Sequence, residues 1–140
     1  MKKVLALLMV VVFCVSLCAC GGEKKGDSMT NEEMLSQAKE VTIEEIVAAT
    51  EENVVRAETL YEGIVKIENF KVQYINSYTD NASIEWIYLD SSNSAFTIDA
   101  KISKEDAAML SVGDTVTVVG RLDIGSLGFS ANIYSAFIVR

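Results

Sequence analysis

The sequence predicts a mainly β domain that is preceded by an amphipathic helix and exported behind an N-terminal signal. Three features of the 140 residues support this prediction. An apolar run follows two lysines at the N-terminus, a helical spacing of apolar residues starts near Thr42, and an alternation of apolar and polar residues extends onward from Gly63. A period near 3.6 indicates a helix, and a period of two indicates half-buried strands. The chain contains no proline, which suits uninterrupted hydrogen-bonded strands.

The N-terminus has the form of a signal peptide. Two lysines precede an almost continuous apolar run from Val4 to Leu17, and the small residue Ala19 stands directly before Cys20. A positive region, an apolar region and a small residue at the cleavage point are typical of an export signal. The run is shorter than the roughly 20 residues that span a bilayer comfortably. We therefore expect residues 1–19 to be removed.

The end of this run, Leu17-Cys18-Ala19-Cys20, resembles the lipobox of bacterial lipoproteins. In that family the cysteine thiol receives a diacylglyceryl group, and a dedicated peptidase then cuts in front of the cysteine. The resemblance implies that Cys20 is lipidated and becomes the new N-terminus. Two acyl chains give stable anchoring where one does not. The alternatives are an ordinary secretory signal cut after Ala19 and an uncleaved anchor.

The predicted location is the exported side of the cell membrane, with the domain anchored by its lipid. Gly21 stands where an aspartate commonly retains lipoproteins in an inner membrane. If the source has two membranes, the outer membrane is therefore the expected one. Residues 20–41 are polar or weakly patterned, so we expect the lipidated cysteine and a flexible tether there. Residues 42–140 are then the folded domain.

Cysteine usage and charge limit the function of this domain. All three cysteines lie in the signal region, so the mature domain has no disulfide and no redox or nucleophilic thiol. The formal net charge of the whole chain is −8, and removal of Lys2 and Lys3 leaves 10 basic against 20 acidic residues, or −10. A negative field of this size repels phosphate backbones and anionic lipids. Nucleic acid is therefore not an expected partner.

An amphipathic helix is predicted over residues 42–61. Thr42 and Glu45 have the spacing of a capping box, in which each side chain satisfies a free amide at the helix start. The apolar residues with helical spacing are Ile43, Ile46, Val47, Val54, Ala57, Leu60 and Tyr61. Gly63 then ends the pattern. The stripe predicts packing on the following strands, and the alternative is a helix that docks a partner protein or lies on a membrane.

Five strands and one short helix are predicted after Gly63. In the first strand, the alternation of Val65 and Ile67 resumes one residue out of phase at Phe70, which predicts a bulge. The later strands are 84–89, 96–102, 115–122 and 129–139, with a short helix capped by Ser103 between the third and the fourth. Polar turns at 76–83 and 90–93 and a glycine-rich loop at 125–128 separate the strands.

Three strands, one helix and two strands is the order of the OB-fold, a five-stranded Greek-key barrel. Two segments also resemble the tRNA_anti-like family. Residues 52–63 resemble its "E-N-x-x-x-A-x-x-x-Y-x-G" opening, and residues 110–120 resemble its "L-x-x-G-D-x-V-T-V-x-G" fourth strand. The resemblance covers about residues 50–140 and implies an OB-fold scaffold. These are scaffold motifs, and they do not imply that RNA is bound.

The sequence offers no catalytic motif. There is no histidine, so no imidazole base or imidazole metal ligand is available. No G-x-S-x-G elbow is present, and the glycines lack phosphate-loop spacing. The Asp/Asn turns at 80–81 and 90–93 lack the spacing and the closing glutamate of a calcium-binding EF-hand. We therefore expect no enzyme activity, no cofactor and no metal.

The candidate binding site is the face of strands two and three that OB-folds commonly use. If Ile87 and Leu89 point into the barrel, Trp86 and Tyr88, which alternate with them, lie outside and can stack on a sugar, a base or a peptide side chain. The candidate ligand-binding residues are Trp86, Tyr88, Thr97, Asp99 and Lys101. The alternative is that Trp86 and Tyr88 belong to the core.

The predicted function follows from these features. The protein is expected to be an exported lipoprotein that acts as a non-catalytic OB-fold binding or interaction module at the cell envelope. Its partners would be the membrane, through the lipid on Cys20, and an envelope protein or a small ligand. One alternative is a solute- or glycan-binding protein that uses the aromatic face of strands two and three. Another is a structural adaptor that docks an envelope protein through the N-terminal helix.

Overall fold

The computed structural model describes residues 29–89 and 94–140. Four helices and seven strands occur in these ranges. The helices are α1 (Asn31–Gln37), α2 (Ile43–Glu52), α3 (Val54–Leu60) and α4 (Lys104–Ala107). The strands are β1 (Lys39–Val41), β2 (Gly63–Lys71), β3 (Tyr74–Ser77), β4 (Ala82–Leu89), β5 (Ala95–Ile102), β6 (Thr115–Ile124) and β7 (Ser130–Val139). The prediction of a mainly β protein is confirmed.

All seven strands belong to one sheet with the order β1-β2-β6-β7-β5-β4-β3. Strands β1 and β2 are parallel, as are β5 and β7, and the other neighbours are antiparallel. β2 and β3 follow each other in the chain but lie near opposite ends of the sheet. At their junction Val72 donates to the carbonyl of Asp114 at 2.8 Å, whereas Gln73 donates to that of Glu85 at 2.9 Å. Val72 thus bonds to the residue that precedes β6, and the next residue, Gln73, bonds to β4 in the other half of the sheet.

The first predicted strand is divided into β2 and β3 in the structure. The predicted bulge is confirmed, because the pairing of β2 with β6 shifts between Ile67 and Phe70. Asn69 lies inside the shift with a φ of 57°, in the left-handed region that asparagine tolerates better than most residues. The strand therefore turns between the two ends of the sheet. This division, together with the added strand β1, accounts for seven strands where five were predicted.

The single helix predicted over 42–61 is two helices separated at Asn53. The predicted capping box is present, since Glu45 donates its amide to the Thr42 hydroxyl and accepts the Thr42 amide on its carboxylate. Asn53 is extended, with φ −167° and ψ 105°, and its side chain accepts from the amide of Arg56 at 3.0 Å. An asparagine side chain that caps a new helix competes with continuation of the old one.

Residues 31–41, which the sequence placed in the tether, form α1 and β1. Met34 of α1 is buried, and α1 contacts β2 and β6. β1 extends the sheet beside β2, where Lys66 pairs with Glu40 at 3.0 Å and with Glu68 at 2.8 Å. The hydrogen bonds to Glu68 and Glu40 raise the pKa of Lys66. The predicted signal peptide, the lipidated Cys20 and residues 21–28 of the tether lie outside the described residues.

The core lies between the sheet and the helices α2 and α3. From the helices it contains Ile43, Ile46, Val47, Ala57 and Tyr61. From the strands it contains Val65, Ile67, Phe70, Ile84, Phe96, Ile98, Ala100, Ile102, Val118 and Ile133, among others. The apolar stripe of the N-terminal helix is therefore largely covered by the protein's own sheet. No helix in residues 29–89 and 94–140 is long and apolar enough to cross a membrane.

Candidate functional site

Trp86 and Tyr88 point toward the core. In β4, Trp86 pairs with Ile98 and Tyr88 with Phe96 of β5, and both partners are buried. Directly opposed residues of an antiparallel pair share one face of the sheet. The two aromatic rings are half-buried at the edge of the core, and the edge of the Trp86 ring meets Phe70 at a centroid distance of 5.8 Å.

The other three candidate residues lie on the opposite face of the sheet. Along the same ladder Thr97 pairs with Ile87, Asp99 with Glu85, and Lys101 with Ser83. The structure thus brings Thr97, Asp99 and Lys101 together and separates them from the two aromatic residues. The sequence pattern does not separate these two groups, because β4 carries apolar residues on both faces and a period of two does not decide which face is internal.

The outer face around Lys101 carries three tyrosines in place of the predicted pair. Tyr74 lies opposite Glu85 in the ladder of β3 and β4, and Tyr78 lies in the turn after β3. Tyr134 lies on β7, two residues after Asn132, which pairs with Asp99. All three tyrosines are exposed. We call this surface the Lys101 face, and it consists of Tyr74, Asn76, Tyr78, Ser83, Glu85, Asp99, Lys101 and Tyr134.

Lys101 is the centre of this face. Its ammonium lies 3.1 Å from Asp99 Oδ2 and 5.4 Å from the centroid of the Tyr78 ring. Burial lowers the pKa of Lys101, but the hydrogen bond and charge of Asp99, with smaller contributions from Tyr78 and Tyr134, outweigh burial and raise it above its usual value. Lys101 is thus held in its charged form beside the Tyr78 ring. An ammonium beside a tyrosine ring is attracted by the ring quadrupole.

Two polar atoms on the Lys101 face have unused hydrogen-bonding capacity. Ser83 is fully buried, and its hydroxyl has no partner among the described residues. Asp99 accepts from Lys101 through Oδ2, while its Oδ1 is buried and has no hydrogen-bond partner in residues 29–89 and 94–140. Buried polar groups are nearly always hydrogen-bonded, so two such atoms on one face need an explanation. Water or a bound ligand would supply the missing partners.

Sequence reasoning missed the tyrosines for identifiable reasons. Tyr78 falls in a stretch that reads as a polar turn, and Tyr74 continues the alternation of Phe70 and Val72, which predicts a position on the same face as these apolar residues. Tyr134 did carry a signal, because it alternates with Ala131 and Ile133, whose side chains are buried. An aromatic residue out of phase with a buried row is expected on the surface.

The largest exposed apolar side chains lie elsewhere, in the loop between β6 and β7. Leu127 and Phe129 are 79% and 66% exposed and border a cleft of about 300 Å³. The cleft is also lined by the apolar residues Val47, Val54 and Phe96. Its lining also contains two side-chain hydroxyl groups and one carboxylate, so the cleft is of mixed rather than purely apolar character. Among the described residues no group of three His, Cys, Asp or Glu side chains could hold a metal ion.

Comparison with known proteins shows likeness in fold. No protein-family model matches the chain, and no curated protein sequence matches it either. A crystal structure of a Klebsiella pneumoniae protein, whose given name proposes a nucleic acid-binding lipoprotein, superposes with a TM-score of 0.58 at 14% sequence identity. The match covers 80% of this chain and 100% of that chain. The two proteins share a β fold, and at this identity the likeness extends to the fold alone.

Proposed function

We propose that this protein is a lipid-anchored, exported OB-fold lipoprotein that acts as a non-catalytic binding module. The observation that carries the proposal is the Lys101 face, where exposed tyrosines share one side of the sheet with two buried polar atoms that have no partner among the described residues. Aromatic platforms beside placed polar groups are what binding sites use to recognise polar ligands. Lys101 lies opposite the Ser83 hydroxyl, but Asp99 holds it as a cation at 3.1 Å, so it cannot act as a base for that hydroxyl and binding is the expected chemistry of the face.

The strand order supports an OB-fold. If β2 and β3 are one bent strand and β1 is an addition, five strands remain, with a short helix, α4, between the third and the fourth. The bent strand then contributes to both ends of the sheet, and the third and fifth strands, β5 and β7, pair in parallel. OB-folds bind ligands on the face of strands two and three, which here are β4 and β5. The Lys101 face lies on these strands.

The proposed anchor leaves this face accessible. Cys20 precedes Thr30 by only ten residues. At about 3.5 Å per extended residue, the connection between them spans at most about 35 Å, so the domain stays close to the membrane. Helix α1 packs on β2 and β6, and β7 lies between these strands and β5 in the sheet. The segment that leads to the anchor therefore packs on strands other than β3, β4 and β5, which carry most of the Lys101 face. The given name of the Klebsiella protein is consistent with a lipoprotein.

Charge argues against a nucleic acid ligand, although the name of the Klebsiella protein proposes one for that protein. The Lys101 face carries Glu85 and Asp99 against Lys101, and Asp123 accompanies Arg121 on the neighbouring β6. Phosphate binding needs an excess of positive charge, which this surface does not provide. The helix-docking adaptor is also less favoured, because Ile43, Ile46 and Val47 are buried.

The anchor is tested by metabolic labelling of the full chain in a bacterial host with an alkyne-tagged fatty acid. The expected result is labelled protein in the membrane fraction and loss of the label in Cys20→Ala. The matched control is Cys18→Ala, two residues earlier in the same signal. Labelling that survives Cys20→Ala, or that is equally lost in both variants, would contradict lipidation at Cys20.

A further inference from the structure

We infer that the ligand of the Lys101 face is an uncharged, hydroxyl-rich molecule of the oligosaccharide class. This inference rests on the proposed binding function and adds the chemistry of the ligand. Three features of the face support this ligand class. They are its exposed tyrosines, its balance of acidic and basic groups, and the two buried polar atoms that have no hydrogen-bond partner among the described residues.

The aromatic surface suits a flat, amphipathic ligand. Tyr74, Tyr78 and Tyr134 are 53%, 47% and 42% exposed, and the Tyr78 ring centroid lies 5.4 Å from the Lys101 ammonium. A tyrosine presents an apolar ring face and a polar hydroxyl tip. A sugar ring matches this pattern, because its C–H groups pack on the ring face while its hydroxyls reach the surrounding polar groups.

The charge balance disfavours an anionic ligand. Asp99 binds the ammonium of Lys101 at 3.1 Å, so the central cation of the face is already neutralised. The carboxylate of Glu85 is occupied in another way, since it accepts from the amide of Asn76 at 2.7 Å. A phosphate or carboxylate placed between the tyrosines would meet both acidic groups. An uncharged ligand avoids this repulsion.

The unmade hydrogen bonds distinguish a hydroxyl from a phosphate oxygen. Asp99 Oδ1 is a carboxylate oxygen and can only accept, whereas the Ser83 hydroxyl can donate and accept. A phosphodiester oxygen only accepts and therefore leaves Asp99 Oδ1 without a donor. A sugar hydroxyl does both, so one ligand can serve both atoms. Both atoms are buried and Lys101 lies directly opposite Ser83 in the ladder, so the inference requires the flexible Lys101 side chain to move aside when the ligand binds.

The test is a binding assay on the full lipidated protein in phospholipid nanodiscs, which avoids sugar-based detergents. The probes are tetrasaccharides of N-acetylglucosamine, glucose and xylose, with oligo-deoxythymidine and an acidic peptide as competing classes. We expect a tetrasaccharide to bind, with about a tenfold weaker Kd in Tyr78→Ala, because loss of one stacking partner has an effect of this order. Asp99→Asn preserves the shape of the side chain and is expected to weaken oligosaccharide binding as well.

The matched control is Leu127→Ala, at an exposed apolar residue away from the face, which should leave the Kd unchanged. Circular dichroism of each variant verifies the fold. If oligo-deoxythymidine or the peptide binds and Tyr78→Ala abolishes that binding, the ligand class is wrong while the proposed binding face stands. If a tetrasaccharide binds equally well in Tyr78→Ala and Asp99→Asn, the inference fails because the site lies elsewhere. If no probe binds in a manner that depends on Tyr78, both the inference and the proposed binding face fail.

Discussion

Phe70 and Trp86 meet edge to face, with ring centroids 5.8 Å apart and an interplanar angle of 75°. Phe70 lies on β2 and Trp86 on β4, and the strands β6, β7 and β5 separate the two in the sheet. A contact between strands so distant in the ladder requires the sheet to curl until its two ends approach each other. The pair therefore explains why Phe70 is fully buried and why Trp86 faces inward.

Replacement of Phe70 by leucine should lower the free energy of unfolding by about 1–3 kcal/mol, because it removes the aromatic contact and leaves a small cavity. Trp86 should also emit at longer wavelength in this variant. Urea unfolding followed by fluorescence measures both effects. The matched control is Phe129→Leu, at a residue that is 66% exposed, which should change stability by less than about 0.5 kcal/mol. Equal effects of the two substitutions would contradict a buried Phe70–Trp86 contact.

Local signals in the sequence predicted local structure well. The Thr42 capping box, the Ser103 cap of α4 and the bulge beside Asn69 all occur where the residues indicate them. Each is decided by neighbours within a few positions in the chain. The alternation within β5 is of the same kind, because Phe96, Ile98 and the other apolar residues of that strand form one buried face.

Features decided by distant contacts were not predictable in this way. β1 has only three residues and exists because β2 offers it a partner. The orientation of Trp86 depends on the curl of the whole sheet, because β4 carries apolar residues on both faces. The Lys101 face is assembled from β3, β4, β5 and β7, so its tyrosines meet only after the strands are paired.

Asn69 should tolerate glycine but not valine. Its φ of 57° lies in the left-handed region, which glycine adopts freely and a β-branched residue strongly disfavours. We expect Asn69→Gly to change the free energy of unfolding by less than about 1 kcal/mol, and Asn69→Val to lower it by about 1–3 kcal/mol. Thermal unfolding of both variants measures the difference. A valine variant as stable as the glycine variant would show that the bulge can relax.

Gln73 directly precedes β3 and covers the backbone edge of β4 beyond the residues that pair with β3. Its side chain accepts from the amide of Ile87 at 2.9 Å and donates to the carbonyl of the same residue at 3.3 Å. Gln73→Ala leaves both partly buried groups without a partner, so we expect a loss of about 1–3 kcal/mol. Hydrogen exchange at the Ile87 amide should also become faster. The matched control is Gln37→Ala on exposed α1, and unchanged exchange at Ile87 would contradict the assigned role.

Met34 should be needed for the N-terminal segment to stay on the sheet. It is the buried residue of α1, whereas the adjacent Leu35 is 40% exposed. Met34→Ala should lower stability by about 2 kcal/mol or more and speed proteolysis within α1. Leu35→Ala should have little effect on either measure. If the two variants are digested equally fast, α1 does not depend on this contact.

Stability should fall at high pH, and Lys101 should account for part of the fall. Its pKa in the folded protein is raised above the ordinary value of 10.5, the pair with Asp99 outweighing burial. The unfolded chain therefore loses this proton first, so the stabilisation is complete below that value and disappears as pH rises through the folded pKa. Urea unfolding at about pH 9 and about pH 11 should show a smaller fall in Lys101→Met than in the parent protein. The control Lys71→Met, at an exposed residue on β2, should retain the full fall, and an identical fall in Lys101→Met would contradict the assignment.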